Sequence, residues 1–288
     1  MIAHGRFGNA SGRGPITLAV TSGKGGVGKT SVVVNVAVAL ARLRNRVAVV
    51  DADFGLGNVD VLLGLTPPVH LGHVLTGERA LRDVVVEGPQ GVRIVPAGSG
   101  IQELTALTPR QWSRLVTGLA DLETEMDFVL IDTGAGISSN VIDVLGCAPR
   151  VLVVTSLEPA AVVDAYALIK VLTAAGRDKE IGVLVNGTTQ AEEAEVVFTQ
   201  LDVAAGTFLG RRLTSFGFVP HDPAVRAAVL GQSAVVESAP SAPASRAFRQ
   251  LATRLAALAP LGGPGLRLVP RPGGAPTTFA TTEASQCA

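Results

Sequence analysis

The sequence predicts a single α/β domain in which a mostly parallel central sheet of about seven or eight strands is flanked by helices on both faces. Three observations support this fold class. The chain of 288 residues is 47% apolar, which is enough material for one large core. Short apolar runs alternate with longer helical patterns from Ile16 onward. The runs are apolar almost throughout, as in parallel strands that are covered on both faces.

The predicted strands are short segments of mostly aliphatic residues, such as ITLAVT and RVAVVD. Because helical patterns separate them, neighbouring strands are expected to be parallel and joined by right-handed crossovers. In chain order the strand candidates are 16–21, 46–51, 92–97, 127–132, 150–155, 181–186 and 215–220. The helix candidates lie near 29–44, 109–123, 159–175, 191–203, 222–230 and 243–258.

The two ends of the chain differ in composition from this alternating region. Residues 1–15 are rich in Gly, Arg, Ser and Asn, and we expect a flexible leader there. Residues 260–288 are rich in Gly, Pro and Thr with little charge, and we expect a disordered tail. The globular domain is therefore predicted to span 16–259.

Charge and cysteine content argue against several classes of protein. Basic and acidic residues number 24 each, which disfavours a generally nucleic-acid-binding surface. The two cysteines, Cys147 and Cys287, match no zinc, iron–sulfur or disulfide spacing, so a reduced cytoplasmic setting is expected. No apolar run has the length of a membrane span, and the first residues lack the apolar core of a signal peptide.

A phosphate-binding loop lies between the first predicted strand and the first predicted helix. Gly23, Gly28, Lys29 and Thr30 satisfy the pattern G-x-x-x-x-G-K-[ST]. Glycines let backbone N–H groups curl around a phosphate, and the helix N-terminus adds partial positive charge. Lys29 would supply an ammonium group for the β- and γ-phosphates, and the Thr30 hydroxyl would ligate Mg²⁺. The residues predicted to bind the phosphates are Gly23, Lys24, Gly25, Gly26, Val27, Gly28, Lys29, Thr30 and Ser31.

The use of lysine in this loop is unusual for the chain. Of 24 basic residues only four are lysines, and two of these, Lys24 and Lys29, lie in the loop. A solvated loop residue is one interpretation of Lys24. However, its ammonium group would repel that of Lys29 unless an anion lay between them. A guanidinium group in place of the Lys29 ammonium would be too broad for the phosphate nest. We therefore expect both lysines to serve a bound polyphosphate.

Acidic residues follow two of the predicted strands. Asp51 and Asp53 lie at the end of the second strand, where open α/β sheets bind ligands, although capping of a helix or turn is an alternative for one or both of them. Asp132 ends another apolar strand, which is typical of an acid that holds Mg²⁺ through water. Gly134 and Gly136 would let the following segment move when the γ-phosphate leaves.

The motif GKGGVGKT resembles the deviant phosphate loop of the MinD/ParA ATPase family. The resemblance implies that Lys24 reaches across an ATP-dependent homodimer to the partner's phosphates. It also implies that Asp53 positions or activates the attacking water, that Asp51 is the other acid of the same motif, and that Asn58 is a switch I residue. Asp132 would be the switch II acid. Catalysis would then depend on positioning and on charge neutralisation by the two loop lysines and Mg²⁺.

Positions farther along the chain resemble the adenine-reading positions of the same family. Asn186 ends the strand candidate IGVLVN and would offer its amide to the base, and Pro220 and Asp222 belong to the adjoining loop. An ordinary strand-end asparagine and a proline turn are the alternative. The resemblance thus implies ATP or ADP, together with Mg²⁺, as the ligands.

Three longer stretches, DFGLGNVDVLLGL, LGHVLTGERALRDVV and VRIVPAGSGIQEL, look most like the FlhG/FleN flagellar-number regulators and next like the MinD cell-division ATPases. Both branches imply an ATP-bound dimer, often membrane-associated, and an ADP-bound monomer, in the cytoplasm or at the inner face of the membrane. A protein partner is implied as well, either a GTPase of the signal-recognition-particle type or a flagellar component. The N-terminal motif that stimulates such a GTPase has no match in residues 1–15.

Three other classes are alternatives to this interpretation. A DNA-partitioning ATPase needs a basic dimer face, of which the balanced charge gives no sign. An iron–sulfur carrier needs paired cysteines near the dimer axis, which the cysteine spacing does not provide. The third alternative is a scaffold that binds ATP with little turnover.

The last predicted helix has two interpretations. Residues 245–258 carry apolar residues at roughly helical spacing with interleaved arginines. Such a segment can close an α/β domain with its apolar stripe on the sheet, or it can lie on an anionic membrane surface. The segment directly follows the last predicted strand, so we expect the closing helix.

Overall fold

The computed structural model describes residues 15–98, 107–175 and 179–258. The strands in these ranges are β1 (Ile16–Ser22), β2 (Val47–Ala52), β3 (Val86–Glu87), β4 (Arg93–Val95), β5 (Phe128–Ala135), β6 (Arg150–Thr155), β7 (Glu180–Thr188) and β8 (Thr214–Pro220). They form one sheet of 8 strands in the order β3-β4-β2-β5-β1-β6-β7-β8. All neighbouring strands are parallel except the edge pair β3 and β4. The predicted sheet is therefore confirmed.

Helices connect most of the strands. Within the described ranges they are α1 (Lys29–Arg42), α2 (Val59–Leu62), α3 (Leu71–Thr76), α4 (Pro109–Glu125), α5 (Ser139–Cys147), α6 (Pro159–Ala174), α7 (Ala191–Leu209), α8 (Pro223–Leu230), α9 (Val235–Ser238) and α10 (Pro243–Ala256). Short 3-10 turns precede β3 and β4. The predicted leader, except for residue 15, and the predicted tail lie outside the described residues.

The sequence patterns do not predict several short elements, namely β3, α2, α3, α5 and α9. Most of these have six residues or fewer, which is too short for a helical or strand period to become visible. The predicted strand 92–97 is shorter in the structure and ends at Val95. The next residue is Pro96, whose ring nitrogen has no proton to donate to a neighbouring strand.

The two faces of the sheet are both covered by helices. In β5, Val129 and Ile131 belong to a cluster with side chains of α4, α5, α6 and α7. Leu130, between them, belongs to the opposite cluster with side chains of α1 and α10. All three are 0% exposed. Burial on both sides explains why the strand sequences are apolar throughout instead of alternating.

The helix α10 closes the domain. Phe248, Leu251 and Leu255 are buried in the same cluster as α1, whereas Arg246 and Arg254 on this helix are exposed. This burial confirms the closing-helix interpretation. In the part of the chain that the structure describes, no helix combines the length and the apolar content that crossing a membrane requires.

The carboxyl ends of the parallel strands meet at one edge of the sheet, and most of the predicted site residues are at this edge. Asp51 on β2 lies opposite Asp132 on β5 in the strand register. On the other side of β5 is β1, which leads through the glycine-rich loop to Lys29, the first residue of α1. The sheet thus brings two acids and the loop together, although they are far apart in sequence.

Candidate functional site

The loop between β1 and α1 has the geometry of an anion-binding loop. Gly28 is the N-cap of α1 in the left-handed conformation (φ 86°) and, as a glycine, offers no side chain to cap the helix. The first N–H groups of a helix lack intrahelical partners and carry partial positive charge. Across the loop, the Ser22 hydroxyl donates to the Lys24 carbonyl at 2.9 Å. This arrangement fits a phosphate group.

Gly23, the first residue of the motif, lies directly against the backbone of α6. A Cβ atom at this position would lie 2.2 Å from the carbonyl carbon of Asp164 and 2.6 Å from the amide nitrogen of Ala165. Both distances are far below van der Waals contact, so only glycine fits without a backbone shift. The loop is therefore positioned by α6 as well as by β1 and α1.

Lys29 and Asp132 form a buried ion pair beneath the loop. Lys29 Nζ lies 2.6 Å from Asp132 Oδ1, and the two residues are only 8% and 1% exposed, respectively. Thr30 also hydrogen-bonds to Asp132. Burial raises the pKa of the Asp132 carboxyl, whereas the Lys29 charge and the hydrogen bonds from Lys29 and Thr30 oppose this rise. Lys29 and Thr30, which the sequence assigns to phosphate and Mg²⁺ binding, thus both interact with Asp132.

The oxygen atoms beneath the loop fit a magnesium ion. Mg²⁺ is usually held by one or two carboxylates together with phosphate oxygens and water. The Thr30 hydroxyl and the Asp132 carboxylate provide such hard oxygens side by side. The described ranges contain no group of three or more His, Cys, Asp or Glu side chains that could hold a metal alone. An ion at Thr30 would therefore take most of its ligands from a nucleotide and water.

Lys24 has a different environment from Lys29. Its ammonium group is at the rim of the loop, 2.5 Å from the Glu158 carboxylate, and these side chains are 40% and 66% exposed, respectively. The hydrogen bond to Glu158, followed by the charge of that carboxylate, raises the pKa of Lys24. The cationic form is therefore favoured. One loop lysine is thus buried against an acid of the core, and the other is at the surface.

Glu158 is a residue of this site that the sequence analysis did not identify. It is the N-cap of α6 and follows shortly after the end of β6. An acidic residue at the carboxyl end of a parallel strand is the same signal that identified Asp53 and Asp132. Applied to the strand 150–155, that rule would have found Glu158.

Asp51 is fully buried and fixes the segment that follows β2. Its carboxylate oxygens accept hydrogen bonds from the N–H groups of Asp53, at 3.2 Å, and Val59, at 3.1 Å. Burial, and then the charge of Asp132, raises the pKa of Asp51 to about 7. Since Val59 is the first residue of α2, Asp51 has the helix-capping role that was considered as an alternative. Its part in a nucleotide-driven switch stays a prediction.

Of the remaining predicted switch residues, Asn58 and Gly134 line one cleft beside the loop. The cleft has a volume of about 1010 Å³, and the predicted residues that line it are Gly25, Gly26, Gly28, Lys29, Thr30, Ser31, Asp53, Asn58 and Gly134. A Cβ atom at Gly134 would lie 3.4 Å from Asp53 Oδ1, so the segments after β2 and β5 approach each other there. Gly136 donates its N–H to the Ser22 carbonyl at 2.8 Å, which links the segment after β5 to the loop.

The three residues predicted to read the base are outside the set that lines this cleft, and Asn186 contacts the loop directly. Asn186 on β7 donates from Nδ2 to the Val27 carbonyl at 2.7 Å. Pro220 directly follows Val219, the residue of β8 opposite Asn186. The structure therefore brings Asn186 and Pro220 together on neighbouring strands.

Asp222 has a structural role in addition to the predicted one. One carboxylate oxygen accepts from the N–H of Ala224 at 2.9 Å, and the other accepts from the N–H of Ala244 at 3.0 Å. Asp222 thus caps α8 and fixes the start of α10. The contacts of Asn186, Pro220 and Asp222 with a base stay predictions.

Comparison with known families agrees with the geometry of the loop. A family model named ParA, described as an NUBPL iron-transfer P-loop NTPase, matches residues 15–256. The chain belongs to the ParA/MinD family of P-loop NTPases. Members of this family are generally ATPases, so the family implies a nucleotide ligand with Mg²⁺.

Individual relatives of this ParA/MinD-family protein include flagellar and cell-division proteins. The chain is 45% identical to the antiactivator FleN of Pseudomonas aeruginosa over 238 residues, or 83% of this chain and 85% of FleN. It is 30% identical over 236 residues to the flagellum site-determining protein YlxH of Helicobacter pylori, or 82% of this chain and 80% of YlxH.

The fold matches that of a solved MinD. The septum site-determining protein MinD of Pyrococcus horikoshii, complexed with Mg-ADP, superposes with a TM-score of 0.72 and 26% identity, covering 84% of this chain and 96% of that chain. Together with the flagellar relatives, this similarity confirms the predicted resemblance to the MinD/ParA family and to its FlhG/FleN branch.

Proposed function

We propose that this protein is a Mg²⁺-dependent, ATP-hydrolysing switch that dimerises in its ATP-bound state. The observation that carries the proposal is the difference between the two loop lysines. Lys29 is buried next to Asp132, where it can serve the nucleotide of its own subunit. Lys24 is half-exposed at the rim, where its ammonium group pairs with Glu158 among the described residues, so it can reach the nucleotide of a second subunit. A site that works within a single subunit needs only Lys29.

Each side chain of the site has a role in this proposal. Phosphates of ATP replace Asp132 as the partner of Lys29, because a polyphosphate offers more negative charge than one carboxylate. Mg²⁺, held by Thr30 and through water by Asp132, would neutralise charge on the phosphates. Asp53, half-exposed in the cleft, orients the attacking water. Lys24 of the second subunit adds positive charge at the same phosphates.

The release of phosphate from purified protein tests the enzymatic part of the proposal. With Mg-ATP we expect slow turnover, a preference for ATP over GTP, and no measurable turnover after Lys29→Ala. Lys170→Ala is the matched control, since Lys170 is an exposed lysine on α6 and outside the site. Equal affinity for GTP and ATP would contradict the adenine role of Asn186. Tight ATP binding without any phosphate release would favour the scaffold alternative.

For the cellular role we propose control of flagellar number or placement, with MinD-type control of the division site as the alternative. The similarity to FleN and YlxH favours the flagellar role. The test is expression of the chain in P. aeruginosa cells that lack FleN, with the number of flagella per cell as the readout and the Lys29→Ala variant as the control. Failure of an expressed, ATP-hydrolysing protein to change that number would contradict the flagellar role.

We propose a protein partner in addition to the homodimer, either a GTPase of the signal-recognition-particle type or a flagellar component. The proposed location is the cytoplasm, with peripheral association at the inner face of the membrane as the alternative; little ATP-dependent binding to anionic liposomes is expected. A pull-down with the ATP-locked protein in flagellated cells would identify the partner. Recovery of a division-site protein instead would favour the MinD-type alternative.

A further inference from the structure

We infer that Asn186 positions the phosphate loop, so that one side chain connects the base end of the nucleotide to its phosphate end. The inference rests on the proposed nucleotide site and adds a second role for this residue. Reading the base would require only that the amide face the base. The structure instead places the amide on the backbone of the loop, immediately before the two residues that bind phosphate and Mg²⁺ in the proposal.

The amide of Asn186 contacts two consecutive loop residues. Its Nδ2 donates to the Val27 carbonyl at 2.7 Å. It also packs on Gly28, because a Cβ atom there would lie only 2.4 Å from the same Nδ2. Gly28 has a φ of 86°, which other residues rarely adopt. The amide therefore occupies the space beside Gly28 that a side chain would otherwise fill.

The hydrogen bond to Val27 also fixes the direction of the next N–H group. A peptide unit is planar and trans, so the Val27 carbonyl and the Gly28 N–H point in opposite directions. Because the Val27 carbonyl points toward Asn186 on β7, the Gly28 N–H points away from β7. This N–H is among the uncapped donors at the start of α1. Asn186 thus orients a donor for the bound phosphate without touching the phosphate itself.

Asn186 also keeps capacity for a ligand. An asparagine amide has two N–H donors and one carbonyl acceptor. Within the described ranges, the bond to Val27 is the hydrogen bond that this side chain makes. The second N–H and Oδ1 are therefore available to a base. A base bound to these two groups of Asn186 would contact the same amide that donates to the loop carbonyl. Base binding and loop geometry are therefore coupled.

Binding of a ligand without a base separates the two roles. Isothermal titration calorimetry would measure the affinity of the full-length protein for Mg-ATP and for Mg-tripolyphosphate, in the wild type and in Asn186→Ala. Loss of one net hydrogen bond corresponds to about a two- to twelvefold change in an equilibrium constant. Without this bond, the loop is in its competent geometry for a smaller fraction of the time, which lowers the affinity for any phosphate ligand. We expect a loss of that size for tripolyphosphate and a larger loss for ATP, because ATP also loses the contact between the amide and the base.

Asn45 provides the matched control. Its Nδ2 also donates to a backbone carbonyl, that of Leu40, at 3.0 Å, but at the opposite end of α1. Asn45→Ala therefore removes a similar bond without touching the loop, and it should leave both affinities unchanged. Asn186→Leu, which keeps the bulk beside Gly28 and removes the donor, is a second test variant. Thermal unfolding of each nucleotide-free variant shows whether the fold is retained.

The outcomes distinguish this inference from the proposed function. A loss of tripolyphosphate affinity in both Asn186 variants, with an ATP loss at least as large, and no loss in Asn45→Ala, supports loop positioning. A loss for ATP with unchanged tripolyphosphate binding would overturn it and leave Asn186 as a base-reading residue only. If the wild type bound neither ligand, the proposed function would fail, and this inference with it.

Discussion

Replacing Lys29 by methionine would test the buried ion pair directly, since this change removes the charge and keeps most of the bulk. In the variant, the Asp132 carboxylate, which is 1% exposed, loses its cationic partner. Removing one partner of a buried pair costs about 3–5 kcal/mol, because a buried charge is left without compensation. At pH 7 we expect the free energy of unfolding of Lys29→Met to be lower than that of the wild type by this amount.

The pH dependence of the loss would identify charge as its cause. An unpaired, buried carboxyl has a higher pKa in the folded state than in the unfolded state. The folded protein then keeps a proton that the unfolded chain releases, so stability falls as the pH rises from the unfolded pKa toward the folded one. Lowering the pH from 7 to 5 should therefore restore up to about 2.7 kcal/mol, at about 1.36 kcal/mol per pH unit.

Urea unfolding followed by circular dichroism, at pH 5 and pH 7, provides the measurement. Asp51, whose pKa is raised to about 7 by burial and by the charge of Asp132, also titrates in this range, so the wild type and Lys29→Met are compared in an Asp51→Asn background. The double variant Lys29→Met/Asp132→Asn removes both charges and should recover most of the lost stability. A loss below about 1 kcal/mol in Lys29→Met at both pH values, as for an exposed pair, would refute the buried ion pair.

Five further variants test other parts of the site. Asp53→Ala should bind ATP but accumulate as an ATP-bound dimer on a sizing column, and a monomer with normal ATP affinity would contradict its role. Lys24→Ala should keep most of its ATP affinity but lose turnover and dimerisation. Lys24→Arg should restore little of either activity. Normal ATP-dependent dimerisation of Lys24→Ala would contradict the role of Lys24 across the dimer. Glu158→Gln should strengthen ATP-dependent dimerisation in analytical ultracentrifugation, because it removes the charge that holds Lys24, and an unchanged dimer constant would contradict this. Gly23→Ala should weaken Mg-ATP binding at least about tenfold by calorimetry, since its Cβ would collide with the α6 backbone at Asp164; normal affinity would show that the loop shifts at no cost.

The phosphate loop and the acids of β2 and β5 could be identified from the sequence for a local reason. The loop motif is complete within eight residues, and its context of strand, loop and helix is visible in the apolar pattern around it. Asp51 and Asp132 are each marked by the apolar strand that precedes them. In contrast, the contact of Asn186 with Val27 joins residues that are 159 positions apart, and no local sequence pattern predicts it.

The sequence by itself determined the parallel strands and the anion-binding loop, because apolar periodicity and glycine spacing act within one element or between neighbouring elements. The family followed from the resemblance of the motif GKGGVGKT. Only the tertiary structure decided the different environments of the two loop lysines. The local sequence does not distinguish Lys24 from Lys29, because both lie in the same glycine-rich motif. Their partners, Glu158 and Asp132, are 134 and 103 residues away, and the strand order brings them to the loop. Desolvation depends on all the atoms packed around a group, so burial of one lysine and exposure of the other can arise only in the folded chain.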